Sequence, residues 1–398
     1  MVLGNRRWSS RAVLTVLAAV LLLSPAWGQS TLAELRAEVQ ANPGSVTAWV
    51  ALGNAQYEVG DYDQARESFL EAIALDYLSG DAHYGLGIAQ FSRGDYQAAL
   101  FEFNEVARLY PERFDGQFNR AVTLARLRRP AEAADAFRAA IDQAEPEASA
   151  EDRVRAYLGL AGQLELTEEW GEAAAAYAAA LELEPANAEY ILKRGQALHR
   201  AGRGLEALPE LTALEAESGD HRVSSLMSDI YVSQGQIDYA IWSLERALQK
   251  AEAAGDAAAQ ANTLVKLGTL QRSLGRDSQG TASFEQAVAI DPSSWEAQYN
   301  LGVSYLEAGQ TRAALAPLER AQALGGDRAE VYLALASAND LLGQNAAALA
   351  NAQEAIRRLD DPNLLIEARF IAGRAHYRAG DFTAADLELP SQIRDVLD

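Results

Sequence analysis

The sequence contains no cysteine among its 398 residues, which excludes disulfide bonds, thiolate metal sites and cysteine nucleophiles together. Histidine is scarce as well: His83, His199, His221 and His376 are the only four, and none stands four residues from another in an H-E-x-x-H pattern. The sequence also lacks a phosphate-binding P-loop and a G-x-S-x-G nucleophile elbow. We therefore expect no catalytic residues, no cofactor and no metal.

Positive charge is in short supply. Lysine and arginine together number 34 against 56 aspartates and glutamates, and the formal net charge is −22. A surface this acidic repels nucleic acid phosphates and anionic lipid headgroups. We therefore expect neither nucleic acid binding nor peripheral membrane binding.

Long apolar runs are also missing, apart from one at the N-terminus. The run "AVLTVLAAVLLL" (12–23) follows the basic stretch "NRRWSSR" and precedes "SPAWGQS", which supplies a proline and small residues. This layout is typical of a secretory signal peptide. About a dozen apolar residues fall short of the roughly 20 that a membrane-spanning helix needs. The pattern predicts a signal peptide at 1–28, cleavage after Gly28, and export to the periplasm, cell envelope or exterior; an uncleaved anchor is the alternative.

The rest of the sequence repeats itself. "LGNAQYEVGDYDQA" (52–65) returns as "LGIAQFSRGDYQAA" (86–99), 34 residues later. In this frame, where the Leu-Gly pair takes positions 7 and 8, position 15 is glycine in Gly60, Gly94, Gly202, Gly235, Gly275, Gly309, Gly343 and Gly380. Two further copies carry Arg128 and Glu168 there. The chain thus holds ten copies, beginning near residues 46, 80, 114, 154, 188, 221, 261, 295, 329 and 366.

Each copy predicts two helices. Apolar residues recur at spacings of three and four on both sides of the glycine, which marks the stop between the helices. Position 8 is glycine or alanine and position 20 is alanine in most copies, so the two helices can approach closely. Position 24 is large and apolar in Phe69, Phe103, Phe137, Tyr177 and Phe284. We expect these larger side chains to fill the space between one helix pair and the next.

This pattern resembles the tetratricopeptide repeat family. The first copy carries the matching residues Trp49, Leu52, Gly53, Gly60, Tyr62, Ala65, Phe69 and Ala72. The resemblance implies an all-α, right-handed superhelical solenoid of about ten helix-turn-helix units. It places an N-terminal capping half-repeat at 29–45, the repeat array at 46–388 and a C-terminal cap at 389–398. Bends are possible near 143–153 and 249–260, where successive copies are spaced by 40 residues.

The resemblance also implies a protein or peptide ligand in a concave groove, because repeat positions 2, 5, 9, 12 and 13 face that groove in this family. The groove residues of the early and middle copies would be Asn54, Tyr57, Tyr84, Ile88, Phe91, Phe118, Arg126, Arg155, Arg200, Arg222 and Arg272. The late copies would add Glu296, Tyr299, Glu307, Glu330, Asp340, Glu367, Phe370, Arg374 and Tyr377. Our hypothesis is a groove with an aromatic entry, a basic middle and an acidic far wall. The alternative is that these are ordinary core aromatics and solvated charges.

The functional expectation is a non-enzymatic scaffold in the cell envelope that takes part in the assembly or secretion of a complex. A second interpretation is recognition of an envelope polymer or of a polysaccharide-export component. A third, from another class of protein, is an exported hydrolase with an atypical carboxylate site.

Overall fold

A computed structural model describes residues 32–143, 148–325 and 327–388. The expected signal peptide (1–28) and C-terminal cap (389–398) lie outside these residues. The regular structure of the described residues is helical throughout. The helices are α1 (Leu32–Ala41), α2 (Val46–Glu58), α3 (Tyr62–Leu75), α4 (Gly80–Arg93), α5 (Tyr96–Leu109), α6 (Phe114–Arg126), α7 (Pro130–Gln143), α8 (Ala150–Leu166), α9 (Trp170–Leu183), α10 (Ala188–Arg200), α11 (Leu208–Glu217), α12 (His221–Ser233), α13 (Ile237–Ala253), α14 (Ala257–Ser273), α15 (Asp277–Ile290), α16 (Trp295–Glu307), α17 (Thr311–Gly325), α18 (Ala329–Leu341), α19 (Asn345–Ile356), α20 (Pro362–Arg378) and α21 (Phe382–Glu388). A 3₁₀ turn (Gly204–Ala207) precedes α11.

After α1 the helices form ten pairs, so the prediction of an all-α fold of helix pairs is confirmed. We call the even-numbered members from α2 to α20 the first helices and their partners the second helices. Seven first helices begin at the residue that the repeat frame predicts, and α8, α14 and α20 begin four residues earlier. The extra residues "AEAAGDAAAQ" lengthen α13 and α14, which have 17 residues each.

The turn inside each pair depends on one residue with positive φ. All eight glycines at repeat position 15 have φ between 70° and 85°. Arg128 (φ 58°) and Glu168 (φ 61°) adopt the same left-handed conformation, although it costs a residue with a side chain about 1–2 kcal/mol. The hydrogen bonds of the turn are also kept, because Arg129 N donates to Leu124 O (3.0 Å) as Asp61 N donates to Gln56 O (2.9 Å). Helix packing therefore imposes this turn even where glycine is missing.

Small residues let the helices pack closely, as predicted. The ring of Phe69 fits against two glycines: a Cβ added to Gly53 would lie 2.7 Å from it, and one added to Gly85 of the next repeat 2.3 Å. Ala65 and Ala99, at position 20, are fully buried. Each large residue at position 24 therefore occupies space that only glycine or alanine leaves open.

Helix α1 covers the start of the array. Its apolar residues Leu35 and Val39 are buried against Ala48 and Leu52 of α2. Without α1, these side chains of the first repeat would meet water. None of the described helices combines the length and apolar character needed to cross a membrane.

The chain divides into two compact units, one ending at Glu210 and one beginning at Leu211, inside α11. Within each unit, first helices of successive repeats contact one another, as α2 does α4 and as α16 does α18. Second helices pack against the first helix of their own repeat and against that of the next. We call the surface formed by repeat positions 2, 5, 9, 12 and 13 of a unit's first helices its first-helix face.

Candidate functional site

The register of the first-helix faces is set where the first helices begin. The hydroxyls of Ser45, Ser79 and Ser294 accept hydrogen bonds from the backbone N–H three residues further on, at 3.3, 3.3 and 3.2 Å. Such N-caps satisfy an N–H that would otherwise lack a partner and fix the first residue of the helix. Equivalent positions of successive first helices within a unit therefore come to lie side by side.

Two of the predicted groove residues, Tyr84 and Ile88 of α4, lie in the core. Their exposed fractions are 7% and 1%. The hydroxyl of Tyr84 accepts a hydrogen bond from Asn119 Nδ2 of α6 at 3.1 Å, and the Arg113 guanidinium lies 5.4 Å from its ring centroid. Burial raises the pKa of Tyr84. The hypothesis had these side chains facing a ligand, whereas in the structure Tyr84 joins α4 to α6 and Ile88 packs in a buried cluster with Ala99, Phe103 and Val106 of α5.

Three residues at the predicted aromatic entry of the groove remain partly exposed to solvent. Asn54, Tyr57 and Phe91 are each half-buried. The Tyr57 ring lies 5.2 Å from that of Tyr62, and its hydroxyl is 3.0 Å from Ser92 Oγ of the next first helix. Phe91 contacts the ring of Tyr96, on the following helix α5, edge-on with ring centroids 5.1 Å apart. Edge contacts of this kind stabilise aromatic pairs. Tyr57 thus joins the first repeat to the second, whereas the contact of Phe91 lies within its own repeat.

Phe118 of α6 occupies an aromatic cluster. It stacks on Phe114 with ring centroids 5.3 Å apart and meets Phe137 edge-on at 5.7 Å. The guanidinium of Arg155, from the next first helix, lies 5.6 Å from the Phe118 centroid. The cation–π contact thus places a predicted groove arginine against a predicted groove aromatic.

The predicted basic middle of the groove is largely neutralised by the chain itself. Three of its arginines form ion pairs with nearby carboxylates: Arg155–Asp152, Arg222–Asp220 and Arg272–Glu307. Arg200 is exposed and lies 5.8 Å from the ring centroid of Trp170. Arg126 is half-buried and interacts within the chain as well. A ligand carboxylate would have to displace existing partners to reach most of these arginines.

The late repeats differ, because some of their carboxylates form no ion pair with another described residue. Glu296, Glu330 and Glu367 stand at repeat position 2, on α16, α18 and α20, and among the described residues none of them forms an ion pair. Tyr299 of α16 is half-buried, and burial together with the charges of Glu330 and Glu367 raises its pKa. This part of the second unit's first-helix face is therefore acidic around an aromatic ring.

Asp340 belongs to the same predicted acidic wall, but unlike the three glutamates it forms ion pairs within the chain. Only 5% of the residue is exposed, and its carboxylate pairs with Arg374 (2.5 Å) and Arg378 (2.8 Å) of α20. Glu307 is likewise paired, with Arg272. Asp340 and Glu307, two carboxylates of the predicted acidic wall, therefore stabilise contacts between helices.

Sequence reasoning missed two buried ionic clusters. His83 of α4 contacts Glu102 of α5, and Glu215 of α11 is held by two cations. A usable signal was present in the repeat frame, since Glu102 stands at position 23, where the first and seventh copies have serine. No three histidine, aspartate or glutamate side chains converge as metal ligands in the part of the chain that the structure describes.

The comparison with known families agrees with the geometry. Tetratricopeptide repeat models match residues 50–113, 102–149, 167–221 and 278–338, which together exceed half of the chain. The chain belongs to the tetratricopeptide repeat family. This class of helical scaffold is suited to binding proteins and peptides. No curated protein matches the sequence.

Several solved structures share the repeat fold at low sequence identity. YrrB, described as a tetratricopeptide repeat protein with an unusual peptide-binding site, is 18% identical over 54% of this chain and 100% of its own, with a TM-score of 0.39. MamA is 24% identical over 40% of this chain and 90% of its own, with a TM-score of 0.36. The human IFIT1 dimer with PPP-AAAA is 15% identical over 97% of this chain and 100% of its own, with a TM-score of 0.40. These likenesses concern the fold and not the ligand.

Proposed function

We propose that this protein is a non-enzymatic scaffold that binds a protein segment along the first-helix face of its second unit. The observation that carries the proposal is the set of Glu296, Glu330 and Glu367, which form no ion pair among the described residues, together with Tyr299, whose pKa the charges of Glu330 and Glu367 help to raise. A segment with lysine or arginine side chains would supply the missing partners. The net charge of −22 would also attract cationic segments over longer distances.

The spacing of the helices suggests a pattern for that segment. Packed helices lie about 8–10 Å apart. A polyproline II chain advances about 3.1 Å per residue and returns to the same side every three residues, so it covers about 9 Å per turn. Basic side chains at every third residue of an extended ligand would therefore meet the carboxylates of α16, α18 and α20 in succession.

The binding proposal can be tested with labelled synthetic peptides that carry arginine at every third position. We expect the chain to bind these peptides more tightly than matched peptides carrying glutamate, with an affinity that falls as salt rises. The triple variant Glu296→Gln, Glu330→Gln, Glu367→Gln should bind the basic peptide about tenfold more weakly, because three charge contacts of about 0.5 kcal/mol each are lost. Fluorescence anisotropy measures both effects.

A matched control removes the same charge elsewhere. Glu245, Glu252 and Glu319 are exposed residues of the second helices α13 and α17. Their triple replacement by glutamine should leave peptide affinity close to that of the unchanged chain. Equal losses in the two triple variants would mean that net charge alone attracts the peptide, and the proposed face would be wrong.

We further propose that the protein works in the cell envelope, in the assembly or secretion of a complex. The support is the basic start, the apolar run 12–23 and the small residues that end at Gly28. N-terminal sequencing of the protein recovered from its producing cell is expected to begin at Gln29. A chain that retains residues 1–28 in the cytoplasmic fraction would refute this location.

A further inference from the structure

Three repeats have a hydrogen bond between repeat position 4, on the first helix, and the carbonyl six residues earlier. Trp49 Nε1 donates to Pro43 O at 2.9 Å, and Gln298 Nε2 donates to Pro292 O at 3.1 Å. In both cases the acceptor is the carbonyl six residues earlier, in the connection that leads into the first helix. An indole N–H and an amide NH₂ can only donate, so position 4 supplies the proton in this contact.

His83 occupies position 4 of the second repeat and makes the same contact. Its Nε2 lies 2.9 Å from the carbonyl oxygen of Tyr77, again six residues earlier. A carbonyl oxygen has no proton to give, so Nε2 of His83 must carry one. The first ring nitrogen is thereby assigned as a donor.

The other ring nitrogen faces a second acceptor. Nδ1 of His83 lies 2.6 Å from Oε2 of Glu102 on α5. The two residues are 1% and 8% exposed, so water does not replace either partner. A hydrogen bond at this distance requires a proton between Nδ1 and the carboxylate. With Nε2 already protonated, the ring and the carboxylate together bind one proton more than a neutral histidine beside an ionised glutamate.

The surroundings favour a positive charge on the ring. The groups that face His83 are Glu102 and Glu105 from α5 and Tyr77 from the connection between α3 and α4, whose ring lies 5.1 Å away. Glu105 is shared with Arg108 (2.7 Å) and with the Tyr77 hydroxyl (2.8 Å). The helices α2 and α3 also pack against α4, and within the described residues they form no ion pair with His83.

These contacts outweigh the effect of burial on His83. Burial lowers the pKa of the imidazole, but the hydrogen bonds that the ring donates to Glu102 and to the Tyr77 carbonyl raise it, as do the charges of Glu102 and Glu105. The net result is a pKa above the ordinary value of 6.5. The geometry and the electrostatics therefore agree on a protonated ring.

We infer that the proton shared by His83 and Glu102 is a pH-controlled latch, which ties the connection before α4 to helix α5 and opens when the proton leaves. Without it, the lone pairs of Nδ1 and Oε2 would face each other at hydrogen-bond distance, and the Glu102 charge would be buried without a partner. The stabilisation is fully present below about pH 6.5, the unfolded value, and is lost as the pH rises through the higher folded value. The second repeat is thus held more firmly in acid than in base.

The first test is a direct titration of the wild-type chain. With four histidines in the sequence, selective ¹⁵N labelling gives few ring signals, and the spectra of His83→Gln and Glu102→Gln identify that of His83. We expect both ring nitrogens of His83 to carry protons at pH 6.5 and the titration midpoint to lie above that value. A neutral His83 ring at pH 6.5, or a midpoint below it, would overturn the inference.

The second test uses a substitution that the chain itself suggests. His83→Gln should keep the bond to Tyr77 O, as Gln298 does in its own repeat, but it cannot share a titrating proton with Glu102. The urea midpoint of the wild type should fall more between about pH 6 and about pH 9 than that of His83→Gln. His221→Gln serves as the control: its half-exposed ring on α12 lies 3.6 Å from Asp256, and the variant should keep more of the wild-type slope than His83→Gln does. A His83→Gln variant with the wild-type pH slope would show that there is no latch.

Discussion

Replacing Phe69 by alanine is expected to lower the stability of the first two repeats by about 3–5 kcal/mol. The Phe69 ring is 1% exposed and fills the space between Gly53 of its own repeat and Gly85 of the next. Glycine has no side chain that can move into the cavity, so the cost should lie near the upper end of the range. Urea unfolding followed by circular dichroism and amide hydrogen exchange on α3 and α4 measure the loss.

The neighbouring residue provides the control for this change. Leu70 lies on the same helix and is 39% exposed, so Leu70→Ala removes a side chain of similar bulk from the outer surface. Its effect should stay within about 0.5 kcal/mol. If Phe69→Ala and Leu70→Ala shifted the unfolding curve equally, the packing of position 24 between two glycines would be refuted.

The second large effect is expected at Glu215 in the second unit. Its carboxylate is 7% exposed and accepts from Arg246 Nε (2.6 Å) and Nη2 (2.9 Å), from Lys250 Nζ (2.9 Å) and from the Ser224 hydroxyl (3.1 Å). Glu215→Ala would leave Lys250, 14% exposed, with the backbone carbonyl of residue 215 as its remaining partner. An uncompensated buried charge costs about 3–5 kcal/mol.

The pH dependence of this effect has a definite sign. Burial raises the pKa of Glu215, but hydrogen bonds from Arg246 and Lys250 outweigh it and bring the pKa below the ordinary 4.5. The stabilisation is therefore present above about pH 4.5 and is lost as the pH falls through the lower folded value. Urea unfolding of the wild type and of Glu215→Ala should differ at neutral pH and converge in acid.

Glu217 supplies the control for this prediction. It is an exposed residue of the same helix, and Glu217→Ala removes the same charge without opening a buried cluster. Its urea midpoint should match that of the wild type at every pH. A Glu215→Ala variant as stable as Glu217→Ala would contradict the proposed role of the cluster.

The repeat architecture could be predicted because its signals are local. A helix boundary depends on residues within one or two turns, such as the serine N-caps and the glycine at position 15. The frame also located the left-handed turns at Arg128 and Glu168, where the residue type alone argued against them. Repetition made this possible, since eight glycines identified the position that the two exceptions had to occupy.

Which groove residues are available to a ligand was harder to predict, because this depends on contacts with residues distant in sequence. Tyr84 is buried since Asn119 and Arg113 of the following repeat come to lie against it. Arg155 and Arg272 stand at groove positions, but Asp152 and Glu307 lie close enough to pair with them. The position of a residue in the repeat shows which side of the helix it occupies. It does not show which side chains of other helices contact it.

By itself, the sequence determined the helix pairs, their number in the described chain, the turns between them and the close packing at positions 8, 20 and 24. Each of these follows from periodicity, from residue size and from the conformational freedom of glycine. Only the tertiary structure decided which charges and rings remain available. It paired most of the groove arginines and buried Tyr84, Ile88 and the pair of His83 with Glu102, while among the described residues Glu296, Glu330 and Glu367 form no ion pair. The physical reason is that hydrogen bonds and ion pairs act over a few ångströms, and those distances are set by the packing of one repeat on the next.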